Sequence, residues 1–484
     1  ADMDSIPMIV ITGQQVTWML GKDAFQEADI FGISMPVVKH SYLVKATNDI
    51  PRIVKEAYHI ATTGRQGPVL IDIPKDLSQG PFDGELDQEM NLPGHKPELA
   101  YDLNIDEIKA IAKAIKTSKK PLILAGQGAM LAKADAELKY LAETLNSPVT
   151  NTLLGKGVFP ESHELALGML GMHGTAYANK AIVEADLILS VGSRFDDRII
   201  GQADKFGRHA TIIHIDIDPA EIGKMIMPHY QCVGDAKAIL TELNKHIERL
   251  DSDEWVEKVQ GLKKKFPLSY KIHGGLKMQH VLDEFYQLTE GKAIMTTDVG
   301  QHQMWAAQFY KCDKSFQWLT SGGAGTMGFG FPAAIGAQLG RPDDLVVAVV
   351  GDGGFQMTLF ELATAVIEKL PIIILVLNNH YLGMVRQWQE LFFDERESGV
   401  DLAGNPDFVK LAEAYGATGY NLKRPADVRK VLEKAIAHRG GPVLINAEVT
   451  KHENVFPMIP AGAALEDMLI EPPKEKMAKP TGST

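Results

Sequence analysis

Val346-Val347-Ala348-Val349-Val350-Gly351-Asp352-Gly353-Gly354 is an unbroken apolar run that halts on glycine and aspartate. Five consecutive apolar residues, four of them valine, predict a strand buried on both faces, as in a parallel sheet covered by helices. A helix-like stretch over 358–368 follows. After Pro371 a second apolar strand, 372–377, stops at Asn378-Asn379. Strand, helix and strand in this order place Asp352 and Asn379, 27 positions apart, at the carboxyl ends of two strands of one sheet. Open α/β folds bind their ligands there. Gly351 and Gly353 let backbone approach a diphosphate closely, and a following helix N-terminus favours its charge. A carboxylate with an amide oxygen suits Mg²⁺, a hard cation that shares oxygen ligands with phosphate. Each element alone also reads as a turn, because Gly, Asp and Asn dominate turns. Together, each capping an apolar strand, they point to a metal–diphosphate site.

The same alternation runs outward in both directions and predicts an α/β protein of three domains, with parallel sheets flanked by helices. The first domain spans 1–80, with strands at 7–12 and 67–73. Residues 81–104 carry prolines and glycines without apolar period and read as a linker. The second domain, 105–265, opens with a helix over 105–117. It continues through strands 121–125, 187–191 and 211–215 and closes with a charged helical stretch over 236–265. Within it, Gly126-Gln127-Gly128 follows a strand and precedes a helix-like run, 131–145. A lone Gly-x-Gly is a weak dinucleotide signal, and Asp216 at a strand end is a candidate for a ribose hydroxyl. The third domain, 275–450, holds strands 345–350, 372–377 and 443–447. Residues 451–484 read as a tail, frayed from Pro472.

Composition excludes several classes. A chain of 484 residues suits about three domains at ~150 residues each. With 45% hydrophobic and 23% charged residues, disordered and fibrous readings fall away. Lys plus Arg number 49 against 62 Asp plus Glu, a net charge of −13, so nucleic acid is excluded as a partner. Two cysteines, Cys232 and Cys312, make neither a disulfide framework nor a four-thiolate metal site, and they suggest a reducing, cytoplasmic compartment. No apolar run reaches the ~20 residues that span a membrane. No signal-peptide pattern precedes the strand at 7–12, and further residues are expected upstream of Ala1.

Gly-Asp-Gly followed by Asn-Asn resembles the signature of thiamine-diphosphate enzymes. The flanking runs are similar to those of the acetohydroxyacid synthase catalytic-subunit family. They are Ser321-Gly322-Gly323-Ala324-Gly325-Thr326-Met327-Gly328, Val299-Gly300-Gln301-His302-Gln303-Met304-Trp305 and Gly383-Met384-Val385-Arg386-Gln387-Trp388-Gln389. Gly13-Gln14, Asp23-Ala24-Phe25-Gln26-Glu27, Met172-His173-Gly174-Thr175 and Arg194-Phe195-Asp196-Asp197-Arg198 extend the likeness. The resemblance implies pyrimidine-binding, central FAD-associated and diphosphate-binding domains. It also implies decarboxylative condensation of two 2-ketoacids in branched-chain amino-acid biosynthesis, with thiamine diphosphate, Mg²⁺ and FAD as cofactors.

Carried over, it implies that Asp352, Asn379 and the Tyr381 carbonyl hold Mg²⁺. Gln301, His302, Gly325, Gly353 and Gly354 then lie along the diphosphate, Met327 wedges beneath the cofactor, and Met384, Val385 and Trp388 line the cofactor and substrate pocket. Arg65, Gly126, Gly128, Met172, His173, Gly192, Arg194, Asp216 and Asp235 fall to the FAD surroundings. Arg198 clamps the incoming ketoacid, Lys75 faces the active-site mouth, and Gln14 reaches the cofactor of a partner subunit. A homodimer is the minimum unit, and a small regulatory subunit is expected. The family's catalytic glutamate belongs to a stretch that this sequence does not contain.

Plainer readings stand beside these. Met327, or the stripe Met384, Val385 and Trp388, also reads as core; Arg198 also reads as an ion pair with Asp196 or Asp197, and Lys75 as a solvated strand-end lysine. The competing functions are glyoxylate carboligase, pyruvate oxidase, a flavin-free acetolactate synthase, and a non-catalytic or catalytically impaired fragment.

Overall fold

The computed structural model describes residues 1–93 and 103–473, and the chain divides into two units between Asp102 and Leu103. In the first unit β1 (Met8–Gln14), β2 (His40–Leu43) and β3 (Pro68–Pro74) form a parallel sheet in the order β1-β3-β2. Helix Ile50–Thr62 presents Ile53, Ala57 and Ala61 at four-residue spacing, and these pack on Val69 and Ile71 of the central strand. The start of the expected linker is laid against this unit. Gln88 donates to the Asn48 carbonyl, and the Asn91 N–H donates to Glu56. Residues 94–102 of that linker lie outside the described residues.

The second unit carries two six-stranded parallel sheets. The first comprises β4 (Pro121–Ala125), β5 (Val149–Asn151), β6 (Ala166–Met169), β7 (Leu187–Val191), β8 (Thr211–Asp216) and β9 (Tyr230–Val233). Its order is β6-β5-β4-β7-β8-β9, which reverses between β4 and β7. This is the doubly wound dinucleotide-binding order. The second comprises β10 (Ile294–Thr297), β11 (Trp318–Thr320), β12 (Val346–Gly351), β13 (Ile373–Asn378), β14 (Thr418–Leu422) and β15 (Val443–Glu448). Its order, β11-β10-β12-β13-β15-β14, reverses between β10 and β12.

The apolar run of β12 has a simple cause. Val347 and Val349 join a core with Val281 and Phe285 of helix Met278–Thr289, while Val346, Ala348 and Val350 join another with Phe331, Phe355 and Phe408. Successive side chains point to opposite faces, so a sheet covered on both faces needs apolar residues at every position. Each fully buried valine contributes roughly 1.5–3 kcal/mol.

Four expectations about elements change. The helix after β12 starts at Asp352 itself (Asp352–Thr358), and only Leu362–Ile367 of the 358–368 stretch is a further α-helix. The run 131–145 begins at Gln127, ends at Leu131 and resumes as Asp135–Leu145, so Gly128 is helical. The stretch 236–265 is two helices, Ala236–Leu243 and Asp253–Lys265. Between them Asn244 donates to the Glu137 carbonyl and Ser252 to the Leu145 and Asn146 carbonyls, bonds that draw the chain out of helix. Finally, the expected tail is built into the fold as far as Leu469, which bridges Met458. Val455 and Met458 are fully buried, Val455 in the core of the second sheet, while Ile459 and Leu465 complete that of the first. Residues 474–484 of that tail lie outside the described residues. No described helix is long and apolar enough to cross a membrane.

Candidate active site

The strand order of the second sheet reverses between the paired strands β10 and β12, the point at which open sheets form a crevice, and the loops after β10, β12 and β13 meet there. Glycine makes the approach possible. A Cβ on Gly351 would lie 2.9 Å from the His302 ring, and one on Gly383 would lie 2.1 Å from Gln301 Oε1 and 2.7 Å from Asn379 Nδ2. On Gly353 it would meet Leu382 at 2.7 Å, Leu402 at 3.1 Å and the Met327 methyl at 3.8 Å. On Gly354 it would stand 1.7 Å from Asp298 Oδ2. The structure therefore brings Gln301, His302, Met327, Asp352, Gly353, Gly354 and Asn379 together. Gly325, at φ +62°, lies nearby at the exposed rim, with Val299 as its neighbour.

Burial governs the electrostatics of this crevice. Asp352 is buried, which raises its carboxyl to about 6, although Asn405 Nδ2 donates to Oδ2 at 2.6 Å. Burial likewise lowers the His302 imidazole to about 3, so the ring is neutral, and its Nε2 has no hydrogen-bond partner. A buried polar nitrogen without a partner, beside glycines stripped of Cβ, fits a polar ligand, and it donates to a diphosphate oxygen once it carries a proton, which a bound anion favours. Asn379 Oδ1 accepts the Tyr381 N–H at 3.1 Å, and an amide oxygen keeps a second lone pair for a cation. The donors of Gln301 are already engaged: Nε2 bonds Gln387 Oε1 at 2.9 Å and the Glu453 carbonyl at 2.7 Å. Gln301 thus ties the crevice to residues 453–455. Met384 packs partly on the apolar core, Val385 is exposed, and Trp388 stacks on Phe392 with ring centroids 5.2 Å apart.

The candidate flavin residues gather partly at the switch point of the first sheet. Gly126 follows β4 and Gly192 follows β7. The Gly126 N–H donates to the Val191 carbonyl and the Gly128 N–H to that of Gly192, both at 2.9 Å. A Cβ on Gly126 would lie 2.1 Å from Gly192 O, so these glycines pack backbone on backbone. Nearby, Met172 and Arg198 are joined by a backbone bond, and His173 is buried with Nε2 unpartnered. Burial, and secondarily Arg198, lowers His173 to about 4. Asp216 accepts the Asp218 N–H, while Asp235 accepts that of Ala238 and caps helix Ala236–Leu243. Arg194 pairs with Asp196, which leaves the exposed Arg198 guanidinium with Asp197 at 3.7 Å.

Three candidates belong to the first unit. Gln14 Nε2 donates to the Ala28 carbonyl and to buried Asp72. Arg65 Nε donates to Ser5 Oγ. Lys75 is exposed at the start of helix Lys75–Gln79.

Sequence reasoning missed Asp298, Asn405 and the pair Arg386 and Gln387. Asp298 closes β10 and its Oδ1 accepts the N–H groups of Val299 and Gly328, pinning the turn that carries Met327. Its place at a strand end was the available signal. Arg386 is buried, paired with Glu390 at 2.5 Å and donating to Asn454 at 2.7 Å. Gln387 accepts the Val455 N–H at 2.8 Å.

Comparison with known proteins agrees with this geometry. The thiamine pyrophosphate enzyme central-domain profile matches residues 108–243, and the C-terminal TPP-binding-domain profile matches 298–447. An acetolactate synthase of Mycobacterium leprae is 46% identical over 480 residues, which is 97% of this chain and 76% of that protein. An acetolactate synthase large subunit of Haemophilus influenzae is 43% identical over 482 residues, 98% of this chain and 84% of its own. The chloroplastic acetolactate synthase 2 of Nicotiana tabacum is 44% identical over 484 residues, 97% and 72% respectively. The glycine-lined crevice falls inside the matched TPP-binding domain and the identity runs through nearly the whole sequence, so the chain belongs to the acetolactate synthase large-subunit family of thiamine-pyrophosphate enzymes.

Proposed function

We propose that the protein condenses pyruvate with a second 2-ketoacid, pyruvate or 2-ketobutyrate, with loss of CO₂. The products are 2-acetolactate or 2-aceto-2-hydroxybutyrate, and the reaction opens branched-chain amino-acid biosynthesis. The observation that carries the reading is the crevice at the β10–β12 switch point, where an unpartnered buried imidazole faces a wall of glycines. Thiamine diphosphate, when bound, supplies the electron sink for decarboxylation. Asp352, Asn379 and the Tyr381 carbonyl are the proposed Mg²⁺ ligands, an all-oxygen set suited to a hard cation. His302 and the Gly353-Gly354 backbone hold the diphosphate, and Met327 fills the gap beside Gly353. The planar fork of Arg198 orients the carboxylate of the incoming ketoacid. Met384, Val385 and Trp388 border the substrate.

FAD is the proposed second cofactor, at the β4–β7 switch point with Gly126, Gly192, Arg194, His173 and Asp216 around it. The doubly wound strand order and the unpartnered His173 Nε2 support this. The proposed working unit is a homodimer. Relatives such as that of Haemophilus influenzae are named large subunits, and a small regulatory subunit is the corresponding partner proposed here.

The purified full-length protein given pyruvate, thiamine diphosphate, Mg²⁺ and FAD is expected to form acetolactate without acetate or peroxide. Oxygen-dependent release of peroxide would overturn the reading. For the metal, Asp352→Ala is expected to abolish Mg²⁺-dependent retention of thiamine diphosphate, and retention with the parent's Mg²⁺ dependence would overturn the ligand assignment.

A further inference from the structure

Gly404-Asn405-Pro406-Asp407 has turn chemistry, and a turn is what it forms: the Asn405 N–H donates to the Leu402 carbonyl at 3.0 Å. That turn ends a strap, residues 400–405, that is stitched to the loop after β13. The Leu382 N–H donates to the Val400 carbonyl and the Leu402 N–H to that of His380, both at 2.8 Å, and Tyr381 and Asp401 form an antiparallel bridge. The strap therefore grips the same loop that presents Asn379 and Tyr381.

Its last residue reaches across to Asp352. Asn405 Nδ2 donates to Asp352 Oδ2 at 2.6 Å and faces Asn378 Oδ1 at 3.3 Å, while Asn405 Oδ1 accepts from Gln356 Nε2 at 2.9 Å. Gln356 Nε2 also donates to the Asp352 backbone carbonyl at 3.1 Å. These bonds fix the amide orientation. A carboxylate only accepts, so the NH₂ of Asn405 must face it, and the carbonyl of Asn405 must face the Gln356 donor. Among the described residues this is the one side-chain hydrogen bond to the Asp352 carboxylate.

We propose that Asn405 is a positioning residue: by engaging Oδ2 it holds the Asp352 carboxylate in the orientation that offers Oδ1 to the divalent cation. The inference rests on the Mg²⁺ reading above and extends it to a residue 53 positions away in sequence. Groups that orient a ligating carboxylate typically change metal affinity ~10–100-fold when removed.

The test is a Mg²⁺ titration of thiamine diphosphate binding, followed by intrinsic tryptophan fluorescence, on full-length chelator-stripped protein. Asn405→Ala is expected to raise the half-saturating Mg²⁺ concentration ~10–100-fold. Binding at saturating Mg²⁺ should stay close to that of the parent. Asn405→Asp keeps the size but removes the donor, so it is expected to do at least as much damage. Three outcomes overturn the inference: half-saturation within twofold of the parent for Asn405→Ala, parent-like behaviour of Asn405→Asp, or a loss of binding that is equal at every Mg²⁺ concentration. Asp352→Ala run alongside separates the two levels. If it keeps the parent's Mg²⁺ dependence, the ligand assignment itself has failed.

Discussion

Replacing Asp352 by asparagine should make the cofactor-free protein more stable while stopping it from holding the proposed Mg²⁺. Burial lifts the Asp352 carboxyl to about 6, from an ordinary value of 3.8. That gap corresponds to about 3 kcal/mol. The native state therefore binds this proton more tightly than the unfolded chain does. Its stabilising effect is complete below about pH 4 and is lost as pH rises through 6. Above that, the native state carries a buried, cation-free carboxylate, whereas asparagine carries no charge and can still accept the Asn405 N–H. At pH 8 in chelator, Asp352→Asn should exceed the parent by about 3 kcal/mol, roughly 6–12 °C in melting temperature for a domain of this size. The advantage should shrink steadily toward pH 4. Adding Mg²⁺ and thiamine diphosphate should reverse the ranking, because a ligand at about 1,000 times its Kd adds about 4.1 kcal/mol to a protein that binds it. Differential scanning fluorimetry across this pH range, with and without the cation, reads all three effects. A parent that melts at or above the variant at pH 8 without cation would refute the reasoning.

Other outcomes follow from the same structure. Lys156 is fully buried and donates to both Glu161 oxygens, at 2.9 and 2.7 Å, and to the Ala307 carbonyl. Lys156→Met strands the Glu161 charge and should destabilise by about 3–5 kcal/mol, with Lys156→Met/Glu161→Leu recovering most of it in thermal melts. His302, held near 3 by burial, should give the ¹⁵N signature of a neutral ring at pH 5 and titrate higher once diphosphate is bound; a ring already charged at pH 6 without ligand contradicts this. Leu465→Ala should cost about 2–5 kcal/mol in denaturant melts, the value of a core leucine, despite its place near the chain's end.

Strands such as β12 and β13 were legible because a segment covered on both faces admits apolar residues at every position, and turn residues mark its end. Their order in the sheet was not, since a parallel crossover leaves no trace in local pattern. The helix start at Asp352 was hidden by Gly353 and Gly354, poor helix formers whose place is dictated by the close approach of Asp298 and Leu382. Asp352 and Asn379 stood out as strand-end polar groups. Asn405 did not: its local signal is a turn, correctly, and its partner lies 53 residues away. Asp235 shows the opposite case, an acid at a strand end whose visible contact is a helix cap. Residues 453–465 escaped because irregular chain crossing two cores carries no period for a pattern to reveal.

Those closing residues have a consequence for how the protein is made. The Glu453 carbonyl accepts from both Gln301 and Arg386, and Leu465 seals a core begun more than three hundred residues earlier. Translation delivers them after every strand of both sheets, at ~5–20 residues per second, and so about a hundred residues after β12. Nascent chains therefore carry the recognisable Gly-Asp-Gly strand tip before the pocket around it can close, and cofactor loading waits for the segment that follows the last strand of the sheet.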